Sequence, residues 1–286
     1  MQEPRIQSYF DPDTWTVTHI VSCPTTRKTA IIDSVLDYDP KSGRTSTASA
    51  QKVLDYVKAN DLSVDWHLET HAHADHFSAA PWLKERLGGK IAIGEQIKTV
   101  QKVFSGIFNA KDIDADGRQF DVLFKDGDTF AVGEIPFRVM HTPGHTPACL
   151  TYITDGHAFV GDTLFMPDYG TARCDFPGGD AATLYRSIRK LLSLPGDTKL
   201  HLCHDYQPGG REPRWVTTVD EQRRSNIHVH DGVTEEEFVA MRTARDKTLA
   251  MPALILPSVQ VNARAGHMPP PEDNGVAYLK IPLNVL

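Results

Sequence analysis

The stretch Glu69-Thr70-His71-Ala72-His73-Ala74-Asp75-His76 sets four potential metal ligands within six residues. Just before it, Val64-Asp65-Trp66-His67-Leu68-Glu69 alternates as a strand does, so the ligand-rich segment is expected in a loop at a strand's C-terminal end. Along an extended loop, alternation turns His71 and His73 to one side, while Asp75 and His76 reach a second position beside it. The spacing suits one metal ion or two adjacent ones. A solvated loop with coincidental histidines is the plain alternative, and three later segments weigh against it.

In His141-Thr142-Pro143-Gly144-His145-Thr146, a Pro-Gly turn directly precedes His145 and can aim its imidazole. Asp162 follows the apolar run 157–160, where a strand end would deliver a carboxylate able to bridge two metals. His204 closes the short run 199–203 in the same way. Each of these alone is weak, since a lone Asp or His at a strand end is more often a turn or core residue.

Working outward, the chain has 286 residues, 40% of them hydrophobic, enough to bury a sizeable core. With 30 Lys+Arg against 37 Asp+Glu the net charge is -7, so nucleic acid and anionic membranes are poor partners. No basic-then-apolar leader opens the sequence and no long apolar run follows, which leads to the expectation of a soluble, cytoplasmic protein. Cys23, Cys149, Cys174 and Cys203 lie far apart without a CxxC pair, as expected for reduced thiols.

Residues 14–23 and 29–35 read as paired strands, and Val53, Leu54, Val57 and Leu62 give one apolar helical face. Strands are expected at 120–124, 128–132, 135–141, 150–154 and 158–161, each bounded by Gly, Pro or Asp. Asp180 can cap a helix carrying Leu184, Ile188 and Leu191; 199–203 reads as a strand, 235–248 as a helix, and Pro269-Pro270-Pro271 as irregular. Alternating strands and helices in both halves imply two packed sheets with helices outside, an αββα sandwich. No compositional break divides residues 1–286, so one domain is expected, with an extension from about residue 230 packed on it. His141 and His201 are expected to orient ligands, Cys203 to point away from His204, Cys149 and Cys174 to be small buried groups, and His228, His230 and His267 to lie at the surface.

In order, HxHxDH, GHT, GD and HD resemble the signature of the metallo-β-lactamase superfamily, over residues 71–204. The resemblance implies an α/β fold of the αββα type, with a site at one edge between the sheets built from His71, His73, Asp75, His76, His145, Asp162 and His204. These seven positions do not decide the reaction. They could hold two Zn ions with a bridging hydroxide, or one Fe(II) on two imidazoles and a carboxylate, and only iron can take part in redox chemistry.

The segment Gly170-Thr171-Ala172-Arg173-Cys174-Asp175-Phe176 looks like the substrate loop of persulfide dioxygenases, also called sulfur dioxygenases, and most of all their bacterial branch. Members of that family oxidise glutathione persulfide with O₂ to sulfite and glutathione on mononuclear Fe(II). The likeness therefore implies one Fe(II) per chain on His71, His145 and Asp162. It makes Arg173 the binder of a glutathione carboxylate and Tyr206 a hydrogen-bond donor near the substrate, and it keeps His73, Asp75, His76 and His204 out of direct contact with the iron. A salt bridge from Arg173 to Asp175 or Asp168 is the structural alternative. The sequence departs from the family pattern in a longer loop, in Cys174, and in an insertion at 207–215 whose Arg211 and Arg214 are either extra contacts or solvated charges.

The main rival is a glyoxalase II-like thioester hydrolase with two Zn ions. That family binds glutathione with a basic C-terminal helical region, and residues 230–286 show no such concentration of Lys and Arg. A β-lactam or lactone hydrolase has no evident use for the segment 173–176, and a catalytically silent sensor need not keep every ligand position. A homodimer is an open expectation.

Overall fold

The computed structural model describes residues 3–285. β1 (Arg5–Phe10), β2 (Val17–Ser22) and β3 (Lys28–Ile32) form an antiparallel meander. The hairpin β4 (Val35–Asp39) and β5 (Arg44–Ser46) and helix α1 (Ala48–Ala59) lead to β6 (Ser63–Leu68), parallel to β3. β7 (Phe77–Ser78) pairs with β4; α2 (Ala80–Leu87), β8 (Lys90–Gly94), α3 (Ile97–Phe108) and β9 (Val122–Phe124) then complete a sheet of order β1-β2-β3-β6-β8-β9.

The second half repeats the plan. β10 (Thr129–Val132), β11 (Ile135–His141), β12 (Leu150–Thr154) and β13 (His157–Phe159) are antiparallel neighbours. Helix α4 (Ala181–Leu191) crosses over to β14 (Lys199–His201), parallel to β13, and β15 (Val216–Thr218) closes the edge. Helices α5 (Val219–Ser225), α6 (Glu235–Asp246) and α7 (Ile255–Asn262) follow.

The apolar residues of the central strands decide the layering. On β2 and β3, Val21, Ala30 and Ile32 face Phe137, Val139, Tyr152 and Phe159 of the second sheet. Ile20 and Ile31 alternate with them and pack outward beneath Val53, Leu54, Val57 and Leu83 of α1 and α2. Leu184, Ile188 and Leu191 of α4, with Phe238 of α6, cover the outer face of the second sheet through Ala158 and Leu200. This is the αββα sandwich expected from the pattern.

Helix α4 starts at Asp180, whose carboxylate accepts from Thr183 N, as expected; α6 begins with a reciprocal capping box between Thr234 and Glu237. Several elements were not anticipated, β1, α3 and α7 among them. β1 is a half-buried edge strand, α3 carries Ile97, Val100, Phe104 and Phe108 on one face, and α7 is buried on most sides, so it lacks a helical period. Beyond residue 230 the chain is tied to the body: Arg242, 1% exposed, donates to Asp246 and to Thr171 O, and Asp246 Oδ2 accepts from Cys174 N. The expectation that His228 lies at the surface was wrong. It is buried against Gly170 and accepts from Thr171 N at 3.1 Å, whereas His230 and His267 are exposed.

His19 and His67 are sealed away from the site, donating to Leu202 O and Gly88 O, and burial pushes both imidazoles down to about 4. Between pH 6.5 and 4 the unfolded chain binds protons that the folded chain refuses, so stability is lost as pH falls through this window. Each histidine contributes up to about 1.4 kcal/mol per pH unit. Urea midpoints of metal-free protein at pH 7 and pH 5 should show the loss, and His67→Gln should make the pH dependence shallower. An unchanged pH dependence in that variant would contradict the burial argument.

Candidate metal centre and its cleft

Each ligand candidate sits at a loop that leaves a strand end. His71, His73, Asp75 and His76 follow β6; His145 lies between β11 and β12; Asp162 is in a 3-10 turn after β13; His204 follows β14. Gly144 makes the approach of His145 possible. Its φ of +136° and the backbone of Leu184 leave no room for a Cβ, so only glycine lets the loop close over α4.

All seven side chains meet at one place. His71 Nε2 and His145 Nε2 lie 3.8 and 3.6 Å from Asp162 Oδ2, and His204 Nε2 lies 3.4 Å from both Asp162 Oδ1 and Asp75 Oδ2. Asp75 Oδ2 also lies 3.1 Å from His76 Nδ1. The partners of the remaining ring nitrogens fix the tautomers. Arg173 O can only accept, so His145 Nδ1 carries the proton in their 2.8 Å contact. Thr70 Oγ1 gives its own proton to Asp33 Oδ2, so His71 Nδ1 donates to Thr70 at 3.0 Å. Both Nε2 lone pairs are thereby directed to the side of Asp162, the orientation a metal ion requires.

Among the described residues, His71 Nε2, His73 Nδ1, His76 Nε2, His204 Nε2 and Asp162 Oδ1 are buried without a hydrogen-bond partner. Such a concentration of orphaned polar atoms is costly in a stable protein unless an ion satisfies them. The donor set fits a metal: His71, His145 and Asp162 present ligand atoms mutually within 4.8 Å, as do His73, Asp75 and His76. Burial, reinforced by His73 and His145, holds His71 well below its ordinary pKa and keeps it neutral. Burial works against the charge on Asp75, but His204 and His76 outweigh it and keep the carboxyl well below the usual range.

Asp33, which sequence reasoning overlooked, organises this loop from behind. It is 2% exposed and accepts from Thr70 N and Thr70 Oγ1 at 2.8 Å and from His73 Nε2 at 2.9 Å. Asn262 of α7, also overlooked, donates to His73 O and His76 O and accepts from Ser78 N. Neither has a local sequence signal, because their partners are remote in the chain. Cys203 corrects another expectation: its Sγ lies within 4.8 Å of ligand atoms of both His73 and His204, since β14 ends at His201 and strict alternation stops there. His141 Nε2 donates to Pro147 O, and His201 pairs with His157; neither is hydrogen-bonded to a ligand candidate.

A cleft of about 310 Å³ opens beside Asp75, His145 and Asp162. Thr171, Ala172, Arg173 and Phe176 line it, as does Tyr206, whose ring stacks on His204 at 5.5 Å and on Tyr169 at 4.7 Å. Arg173 lines it too, but its guanidinium is engaged: Nε and Nη2 grip Asp175 at 2.6 and 2.7 Å, and Nη1 donates to Ala250 O. The salt bridge weighed as the structural alternative is therefore present. Arg211 is not a free solvated charge: it clamps Asp168 to the buried Asp205, joining the loop after Asp162 to the loop after His204. Residues 230–286 carry no concentration of Lys and Arg, but two of their arginines, Arg242 and Arg245 of α6, line the cleft. No helix among the described residues is long and apolar enough to cross a membrane.

With this fold and these converging ligands, the match of residues 17–204 to the Metallo-beta-lactamase superfamily completes the assignment: the chain belongs to that superfamily. Within it, the chain is 60% identical to a probable metallo-hydrolase of Burkholderia pseudomallei, covering 98% of this chain and 99% of the relative. It is 56% identical to a beta-lactamase hydrolase-like protein of Agrobacterium fabrum over 99% of its own length, but spans only 65% of that relative. The mitochondrial persulfide dioxygenase ETHE1 of Bos taurus is 31% identical over 93% of this chain and 90% of its own. The crystal structure of ETHE1 from Myxococcus xanthus superposes with a TM-score of 0.74 at 29% identity, covering 92% of this chain and all of the other.

Proposed function

We propose that the chain is a glutathione persulfide dioxygenase that uses one Fe(II) held by His71, His145 and Asp162. The observation that carries the reading is the pair of Nε2 lone pairs directed at the side of Asp162 at the foot of a cleft lined by Thr171, Ala172, Arg173 and Phe176. Two imidazoles and one carboxylate on one face leave coordination positions open, and an iron there supplies the redox chemistry. The relationship to persulfide dioxygenases over 93% of the chain supports the same activity.

The overall change is RSSH + O₂ + H₂O → RSH + SO₃²⁻ + 2H⁺. The outer sulfur gives up four electrons, O₂ accepts them, and water provides the third oxygen. The chain's own groups bind and orient. Thr70 and the carbonyl of Arg173 hold the imidazoles in their tautomers, while Phe165, Tyr169 and Tyr206 wall the cleft and keep bulk water from the reacting sulfur. His73, Asp75, His76 and His204 stay outside the direct ligand set, and the Asp33 carboxylate fixes His73.

A dinuclear Zn hydrolase is the second reading, and two observations favour it. His73 Nδ1, His76 Nε2 and His204 Nε2 are unpartnered beside Asp75, and relatives sharing more than half of the sequence carry hydrolase names. Metal analysis of purified protein, combined with oxygen uptake on glutathione persulfide, separates the two. About one iron per chain with sulfite formed is the expected result; two zinc ions per chain with thioester cleavage and no oxygen uptake would establish the hydrolase instead.

A further inference from the structure

Three guanidinium groups line the cleft beside the metal-ligand cluster, and they are not equivalent. Arg173 spends its fork on Asp175 and its remaining nitrogen on Ala250 O, with its carbon 5.2 Å from the Phe176 ring centroid. Arg242 is buried, and its three nitrogens are committed to Asp246 and Thr171 O. Arg245, one turn further along α6, is exposed, and its guanidinium makes no ion pair, hydrogen bond or ring contact among the described residues. An unpartnered fork on the wall of a cleft is the group free to take a carboxylate without breaking an existing bond, and two parallel hydrogen bonds would fix the carboxylate's orientation.

The surroundings set what kind of molecule carries that carboxylate. A wall of stacked rings runs from His204 through Tyr206 to Tyr169, and the charges of Arg242 and Arg245 both bear on the Tyr169 phenol. The ring wall thus leads from the metal-ligand cluster into the cleft that Arg245 also lines. Leu249, Ala250, Pro252 and Leu254 follow Arg245 in the chain and give the cleft an apolar rim. The cleft therefore suits an elongated molecule with a sulfur at the metal end, an uncharged middle and an anionic far end. A net charge of -7 rules out a general attraction for anions, so the positive charge must be local.

We infer that Arg245, rather than Arg173, is the residue that binds the substrate's carboxylate and sets specificity for an acidic thiol such as glutathione. Arg173 is a positioning residue: its carbonyl orients His145, and its side chain holds the loop to Asp175 and to the chain after α6. The identity of the thiol rests on the dioxygenase reading; the role of Arg245 as an anion binder does not.

Isothermal titration of metal-loaded protein with glutathione, and with glutathione esterified at both carboxylates, tests this without relying on turnover. Arg245→Gln should weaken glutathione about 10- to 100-fold, the range expected for losing hydrogen bonds between charged groups. It should leave binding of the diester unchanged, and Arg245→Lys should restore part of the loss. In oxygen-uptake kinetics the same variant should raise KM with little change in kcat. Because Arg245 has no side-chain partner among the described residues, thermal unfolding of the variant should match wild type. Equal glutathione affinity in wild type and Arg245→Gln, or equal losses for glutathione and its diester, would overturn the inference. Oxygen uptake with wild-type kinetics in Arg245→Gln defeats this inference and leaves the dioxygenase reading standing. Arg245-dependent glutathione binding without oxygen uptake does the reverse.

Discussion

Asp162→Ala protein should emerge from purification and dialysis with almost no metal and no measurable oxygen uptake on glutathione persulfide. Asp162 Oδ2 faces the Nε2 atoms of His71 and His145, and Oδ1 is buried without a partner, so both oxygens lie where an ion would sit. Losing a group that only orients a ligand typically lowers metal affinity about 10- to 100-fold, and losing the carboxylate itself should exceed that. The two imidazoles remain anchored by Thr70 and by the carbonyl of Arg173, so the defect should be in metal retention rather than in folding. Inductively coupled plasma analysis beside a circular dichroism melt separates the two. An Asp162→Ala protein that keeps wild-type metal content would falsify the ligand role.

Asp33→Ala should cost stability as well as metal. Its carboxylate is buried and takes hydrogen bonds from Thr70 N, Thr70 Oγ1 and His73 Nε2. Burial disfavours its charge, but His73 and the Thr70 groups hold its pKa below the usual range, while the Asp33 charge outweighs burial to raise His73 well above its ordinary value. Removing one partner of such a buried pair costs about 3–5 kcal/mol, because the other charge is left uncompensated. For a protein of this size that corresponds to a drop in Tm of about 10 °C. Asp33→Asn, which keeps an acceptor for Thr70 N, should lose less than Asp33→Ala. Denaturant midpoints of the metal-free proteins measure the effect, and an Asp33→Ala midpoint equal to wild type would show that the His73 loop is held by something else.

The comparison of Asp33 with Asp162 explains why some of the site could be read in advance and some could not. Asp162, His71 and His145 each follow a strand and a turn signal, so local sequence announces that a polar side chain emerges at a sheet edge. Asp33 follows β3 just as closely, but its partners lie at positions 70 and 73, brought near only because β3 and β6 pair in parallel. Asn262 reaches His73 and His76 across most of the chain, by the docking of a helix whose own pattern has no helical period. Cys203 was misplaced because alternation was carried past the last paired residue of β14.

The linear sequence by itself determined the sandwich architecture and singled out the seven polar side chains that converge in one cluster, because strand alternation, turn residues and His/Asp spacing are local properties that survive without knowledge of neighbours. Tertiary structure alone decided which ring nitrogens are free, which carboxylate anchors the histidine loop and which arginine remains unpaired in the cleft. A hydrogen bond or ion pair belongs to two residues at once, and Arg173, Arg242 and Arg245 look alike until Asp175, Asp246 and the carbonyl oxygens of Thr171 and Ala250 are set beside them.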